Sequence, residues 1–347
     1  MTSVEEFDYE LPNHRIAQIP LAERAASKLL IDRGSGAFEH RTVADLSDIL
    51  EPGDLLVVND TKVLAARLFA TRPTGGRTEL LLLEPDGPAP IALASERSQW
   101  TALVRPSKKV ASGTELTIAG EGDLALTVGE DLGEGRRLIT IESTDLEAAL
   151  ERVGRMPLPP YITETLEEPD RYQTVYAQHL GSAAAPTAGL HLTEAVFDDL
   201  AAKRIEMARV ELIVGLDTFR PVTADRLDDH HMHSERYRVP PETAELVTQT
   251  KASGGAVVAI GTTTVRALES AARFGAEGAT DLFIRDPFEF TSVDKLLTNF
   301  HMPKSTLLVM IDAFVGSRWR KLYDVALASD YRFLSFGDAM LLDRRAE

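Results

Sequence analysis

The side chains best suited to chemistry lie in three histidine-bearing segments and one threonine-rich turn. In His230-His231-Met232-His233-Ser234-Glu235, a strand would throw His231, His233 and Glu235 onto one face as metal ligands, the arrangement of a metal-dependent hydrolase. A loop would instead make His233 and Glu235 acid–base or ribose-binding groups and leave His230 and His231 solvated. The chain has no cysteine, and no distant ligand motif completes a coordination shell, so no metal ligand is assigned.

Ala184-Ala185-Pro186-Thr187-Ala188-Gly189-Leu190-His191 is a loop of small residues ending in an imidazole. Small side chains let a ligand approach the backbone, and His191 is suited to move protons near neutrality; capping or packing is its plainer use. Thr298-Asn299-Phe300-His301-Met302-Pro303 likewise sets an amide and an imidazole just before a helix. In Gly261-Thr262-Thr263-Thr264-Val265-Arg266, an apolar strand gives way to a helix. Free amides, hydroxyls and a guanidinium then converge at a positive dipole end, which suits a carboxylate or phosphate. Threonine is also an ordinary helix cap, and Arg266 an ordinary ion-pair partner.

The elements that must position these groups follow from periodicity and turn signals. The apolar run 55–58 after Pro52-Gly53 predicts a buried strand leading into Asn59-Asp60-Thr61, polar groups at a strand end. From about 69 to 143, short runs at 79–83, 101–105, 114–118, 124–128 and 137–141 alternate with glycine-containing turns and predict an all-β segment, a small barrel. Helical periodicity follows at 145–153, and at 194–204 behind a Thr193 cap, before a strand near 210–214. Helix 242–252, strand 256–260 and helix 262–274 make an α/β unit, with a further helix over 305–315. The fold class expected is α/β: a large, barrel-like α/β domain of residues 1–68 and 151–347, interrupted by a β-barrel domain of residues 69–150.

At 347 residues, with 44% hydrophobic and 26% charged residues, two ordered domains are expected. The acidic start and the lack of any apolar run near the length of a membrane span predict a cytoplasmic chain. A formal charge of −17 opposes non-specific binding to polyanions, so an RNA partner needs a local basic patch. Arg318-Trp319-Arg320-Lys321 is the densest cation cluster. It fits either a base-stacking surface or, more plainly, a solvated helix face around a buried indole.

Taken together, the segments resemble the S-adenosylmethionine:tRNA ribosyltransferase-isomerase family of the queuosine pathway. The resemblance runs through F-D-Y-E-L-P at 7–12, N-D-T-K-V at 59–63, M-P-L-P-P-Y-I at 156–162, Y-Q-T-V-Y at 172–176 and A-A-P-T-A-G-L-H at 184–191. It continues through M-H-S-E at 232–235, G-T-T-T-V-R at 261–266, T-N-F-H-M-P-K-S-T-L-L at 298–308 and Y-R-F-L-S-F-G-D-A-M at 331–340. It implies a monomeric enzyme that uses neither metal nor redox cofactor. Such an enzyme transfers and isomerises the ribosyl unit of S-adenosylmethionine onto 7-aminomethyl-7-deazaguanine at the wobble position in the tRNA anticodon. The products are epoxyqueuosine, adenine and methionine, so S-adenosylmethionine is a consumed substrate.

That chemistry needs a base to take a proton from the carbon beside the sulfonium and a neutral amine to attack. His191, His233, Glu235 and His301 are the proton-transfer candidates. Asn59, Thr187, Gly189, Thr262, Thr263, Arg266 and Asn299 are the substrate-binding candidates, with Thr262, Thr263 and Arg266 on a carboxylate or phosphate. The chain departs from the family pattern at Ile213, Leu216 and Asp217, where H-V-G-x-G-T-F is usual, at Ala65, and at Asp286-Pro287. A paralogue with an altered nucleobase or nucleoside substrate is therefore the alternative reading, beside the metal-dependent hydrolase.

Overall fold

A computed structural model describes residues 2–87, 89–118, 124–215 and 222–345. They divide into two compact units: Met1–Thr61, Pro159–Ala177 and Pro186–Glu347 make the larger, Lys62–Leu158 and Gln178–Ala185 the smaller.

The larger unit opens with β1 (Lys28–Asp32), β2 (Phe38–Thr42), the short α1 (Leu46–Ile49) and β3 (Leu55–Asn59). Every residue of β3 is buried. A continuous Leu-Leu-Val-Val run without alternation is what a strand covered on both faces requires.

The chain then enters the smaller unit with β4 (Thr61–Val63), β5 (Arg67–Thr71), β6 (Arg77–Pro85), α2 (Ala89–Ala94) and β7 (Arg97–Arg105). There follow β8 (Glu115–Leu116), β9 (Ala125–Gly133), β10 (Arg136–Glu142), α3 (Leu146–Val153) and β11 (His179–Ser182). Six strands form a sheet in the order β5-β6-β7-β10-β9-β8, and every pairing in it is antiparallel. A bridge between Thr71 and Thr117 brings the end of β5 against the chain just past β8, so the sheet nearly closes on itself. β7 shows why it curls around a core: Ser98, Trp100, Ala102 and Val104 are buried, while Arg97, Gln99 and Arg105 are exposed. That alternation has the period of a strand with one face inward. β4 and β11 make a separate two-stranded sheet.

Back in the larger unit come α4 (Glu194–Ala202), β12 (Glu206–Leu212), β13 (Glu235–Arg238), α5 (Pro241–Ala252), β14 (Val257–Ile260) and α6 (Thr262–Phe274). The last elements are β15 (Glu277–Thr280), β16 (Lys295–Asn299), α7 (Thr306–Val315), α8 (Arg318–Ala328) and β17 (Ala339–Asp343). The nine-stranded sheet has the order β15-β13-β12-β3-β14-β16-β17-β1-β2. Among the described residues its edge strands β15 and β2 do not pair with each other, so this sheet is open where the sequence suggests a barrel-like wall.

β12, β3, β14 and β16 are neighbours and run parallel. Their carboxyl ends therefore lie side by side, at Leu212, Asn59, Ile260 and Asn299. Open α/β sheets bind ligands outside these ends, because the following loops and helix N-termini converge there. β13 pairs antiparallel with β12, which sets its first residue, Glu235, at the same end.

The Arg318–Lys321 cluster is no stacking platform. Trp319 is buried and stacks against Phe7 with centroids 6.4 Å apart. Arg318 is bonded to the buried Asp32 at 3.0 Å, and the Arg320 guanidinium lies over the Trp319 ring. Burial of the indole takes the cluster's aromatic surface away from any base.

Candidate active site

At the β14–α6 junction, Gly261 adopts φ +87°, a left-handed conformation that glycine alone takes without strain. The turn lets Thr262 begin α6 immediately after the strand, with its first amides at the carboxyl end of the sheet. The Asn59 amide is spent on the neighbouring strand: Nδ2 donates to the Leu212 carbonyl at 2.9 Å and Oδ1 accepts from the Leu212 N–H at 3.0 Å. Nδ2 also reaches Thr263 Oγ1 at 3.3 Å, tying β3, β12 and α6 together. Asn59 thus closes the edge where two strands diverge.

Glu235 and Arg266, 31 residues apart, form a buried ion pair between β13 and α6. The second Glu235 oxygen, Oε1, accepts from the Gly215 N–H and bonds His233 Nε2, both at 3.1 Å. The other Arg266 terminal nitrogen donates to the Thr280 carbonyl at 3.3 Å. Burial by itself would raise the Glu235 pKa; Arg266, His233 and the Gly215 amide outweigh it and hold the carboxyl below its ordinary range. Glu235 is therefore a fixed carboxylate, and Arg266 faces it rather than solvent. A recess lined by Met232, His233, Thr262, Thr263, Arg266, Leu282, Ile284, Leu307 and Met310 adjoins the pair. Its walls are largely apolar, and its polar groups come from the first turns of α6, from Thr306 at the start of α7 and from His233.

β13 begins only at Glu235, so the histidines before it do not alternate on a strand. His231 is exposed, His230 packs on Phe283, and His233 bonds Glu235 instead of sharing an ion with it. Among the described residues no group of three His, Asp or Glu is arranged to hold a metal ion. The loop reading of the segment is the one the backbone supports.

A second cluster joins the other two motifs. Thr187 Oγ1 donates to Asn299 Oδ1 at 3.1 Å, and Asn299 Nδ2 donates to His191 Nε2 at 3.1 Å. With Nε2 accepting, the ring proton sits on Nδ1 and is given to Ser27 Oγ at 2.9 Å, which donates onward to the Arg24 carbonyl. Burial, then Arg332 and Arg24, push the His191 pKa down to about 4, so the imidazole is neutral near pH 7. Gly189 is required by packing: a Cβ there would lie 1.8 Å from the Tyr176 hydroxyl.

His301 lies apart from both clusters. Its Nε2 bonds Thr298 Oγ1 at 3.2 Å, its Nδ1 and its backbone N–H face the Tyr323 hydroxyl, and Tyr9 donates to its carbonyl. Burial pushes its pKa down to about 3.

The structure thus joins His233, Glu235 and Arg266 beside Thr262 and Thr263, and joins Thr187, Asn299 and His191. Ser27, Tyr323 and Tyr176 complete these networks without having been singled out from sequence; Tyr176 alone had a signal, closing Y-Q-T-V-Y at 172–176. Of the departures, Ile213 continues the β12 pairing by donating to Arg236, and Asp286 bonds Arg345. Leu216 and Asp217 lie outside the described residues.

The family model described as Queuosine biosynthesis protein matches residues 4–342. An S-adenosylmethionine:tRNA ribosyltransferase-isomerase of Anaeromyxobacter sp. (strain Fw109-5) is 50% identical, over 98% of this chain and 98% of its own. The enzyme of the same name from Staphylococcus haemolyticus (strain JCSC1435) is 46% identical, over 98% of this chain and 99% of its own. The crystal structure of S-adenosylmethionine tRNA ribosyltransferase from Thermotoga maritima is 37% identical and superposes with a TM-score of 0.55, covering 97% of this chain and 99% of that one. With the match spanning nearly the whole chain, this protein belongs to the queuosine biosynthesis protein family.

Proposed function

We propose that this protein transfers and isomerises the ribosyl unit of S-adenosylmethionine onto 7-aminomethyl-7-deazaguanine in the anticodon of tRNA, giving epoxyqueuosine and releasing adenine and methionine. The observation that carries the reading is the 50% identity, over 98% of both chains, to a relative bearing that activity as its name. The smaller β unit is read as an insertion into the α/β unit. The enzyme works as a monomer in the cytoplasm and consumes S-adenosylmethionine as a substrate, without a resident cofactor. No described helix is long and apolar enough to cross a membrane.

The proton-transfer candidates divide by environment. His233 is half-buried, lines the recess and is oriented by the ionised Glu235, the arrangement of a general base with its carboxylate partner. His191 and His301 have both ring nitrogens engaged and are neutral, so their proposed part is to position: His191 the Thr187–Gly189 loop, His301 the end of β16 against α8.

The methionine arm of the sulfonium substrate is placed against this recess, which at about 10 Å³ holds no more than a water molecule and must widen to admit it. Its carboxylate would meet the first amides of α6, and its methyl and methylene groups the apolar wall. Arg266, already holding Glu235, supports the site rather than binding the carboxylate. The S-adenosylmethionine KM of a Thr262→Val/Thr263→Val variant tests the part of the two hydroxyls beside those amides, which valine retains: a rise of tenfold or more puts the hydroxyls on the carboxylate, and an unchanged KM removes the hydroxyls from the substrate.

A further inference from the structure

The smaller unit carries a charge distribution that the acidic composition of the whole chain conceals. On the outer face of the barrel wall, Phe69 of β5 stands opposite Glu79 of β6, and Glu79 stands opposite Arg105 of β7. Phe69 is 48% exposed, an unusual setting for a phenyl ring, and the Arg155 guanidinium lies 5.1 Å from its centroid. Toward the same end of the wall come Arg77 at the start of β6 and Lys108 and Lys109 in the turn after β7, all exposed. The Arg72 side chain donates to the Lys109 carbonyl at 3.1 Å and ties the β5–β6 turn to that lysine pair.

The acids of this region are few and partly engaged. Glu79 is held by Arg67 at 3.0 Å. Glu115 of β8, and Glu130, Asp131 and Glu134 around the β9–β10 turn, lie at the same end of the wall on its other strands, with Asp131 paired to Arg137 at 2.9 Å. Glu84, Asp86, Glu96 and Glu142 lie at the opposite end of the wall, as the pairing of Glu84 with Thr101 and of Glu142 with Arg97 requires. Along β5, β6 and β7 the wall is therefore polarised, basic at the Arg77–Lys109 end and acidic at the Glu84–Glu96 end.

We propose that this face, Phe69 with Arg77, Arg105, Lys108, Lys109 and Arg155, docks the RNA substrate, its cations on successive phosphates and the Phe69 ring under one unstacked base. This rests on the reading of the protein as a tRNA-modifying enzyme. A cation row beside an exposed aromatic ring is the combination that tracks a nucleic-acid backbone and stacks a base. A local patch of this kind is what a chain of net charge −17 needs to hold a polyanion.

The test is fluorescence anisotropy of labelled tRNA binding to the full-length protein from about 50 to 300 mM salt. Lys108→Gln/Lys109→Gln should weaken binding about three- to tenfold near 0.1 M salt and flatten the log–log salt slope by about 1.5. Phe69→Ala should weaken it about 5- to 100-fold with the slope unchanged, since a stacking contact releases no counterions. Arg97→Gln, at the acidic end, should bind as wild type. Wild-type affinity and slope in the lysine and phenylalanine variants would overturn the proposal. An equal loss in Arg97→Gln would also overturn it, by showing a response to net charge alone. Adenine release by the same preparations separates the two levels. Wild-type turnover with unaffected variant binding removes the docking face alone, whereas no turnover by wild type removes the reaction on which it rests.

Discussion

The Asn299 side chain donates to His191 Nε2 and accepts from Thr187 Oγ1, so one amide fixes both the tautomer of the imidazole and the hydroxyl that precedes it by four residues. Changing Asn299 to Asp replaces the donor by a carboxylate and favours a proton on Nε2. The His191 pKa should then rise from about 4 toward neutrality, visible in the pH titration of its ring nitrogens by NMR. The value of kcat/KM should fall at least tenfold with tRNA affinity preserved. A titration still near 4 with full activity would show that the amide does not govern the ring.

Acid stability follows from the two buried histidines. Both are neutral in the folded chain, with pKa values near 4 and 3 against about 6.5 when unfolded. Each therefore contributes stability that is fully present above about pH 6.5 and is lost as pH falls through the window down to its folded value. Unfolding between about pH 6.5 and 4 should take up close to one proton for each. Replacing His191 by Asn should lower the proton uptake measured from the pH dependence of ΔG by about one; an unchanged slope would show that this ring is protonated in the fold.

The Glu235–Arg266 pair is buried on both sides, and removing one partner strands the other charge. Arg266→Leu should destabilise the protein by about 3–5 kcal/mol in urea unfolding. Arg266→Lys keeps the charge but loses the fork that spans Glu235 and the Thr280 carbonyl, so it should retain the fold and lose activity tenfold or more. Kinetics unchanged in the lysine variant would show that the fork is dispensable.

Gly189→Ala should lower Tm by several degrees and abolish turnover, because the added methyl meets the Tyr176 hydroxyl. That hydroxyl is buried beside Thr174, and Tyr176→Phe removes the atom that the methyl would meet. The double variant should recover part of the loss. A double variant no better than Gly189→Ala would place the obstruction elsewhere.

Local signals carried well from sequence to structure. The helix expected over 262–274 is α6, bounded by glycines at both ends, and that over 305–315 is α7 behind its Ser305 cap. The barrel strands were legible because turn glycines punctuate an inward–outward alternation. What the sequence hid was pairing across distance. β1 lies against β17 some 310 residues later, and β13 and β15, Glu-Arg-Tyr-Arg and Glu-Gly-Ala-Thr, lack the apolar alternation that marks a strand. Arg318–Lys321 looked the densest basic patch in sequence, but folding buries its indole, while the patch around Phe69 is assembled from separate strands that no linear window joins.

The reaction itself is tested by incubating the pure protein with S-adenosylmethionine and tRNA carrying 7-aminomethyl-7-deazaguanine, then quantifying adenine, methionine and the modified nucleoside by mass spectrometry. Equimolar adenine and methionine with epoxyqueuosine in the tRNA is the expected result. Folded protein that binds S-adenosylmethionine and tRNA yet forms none of the three would contradict the assignment.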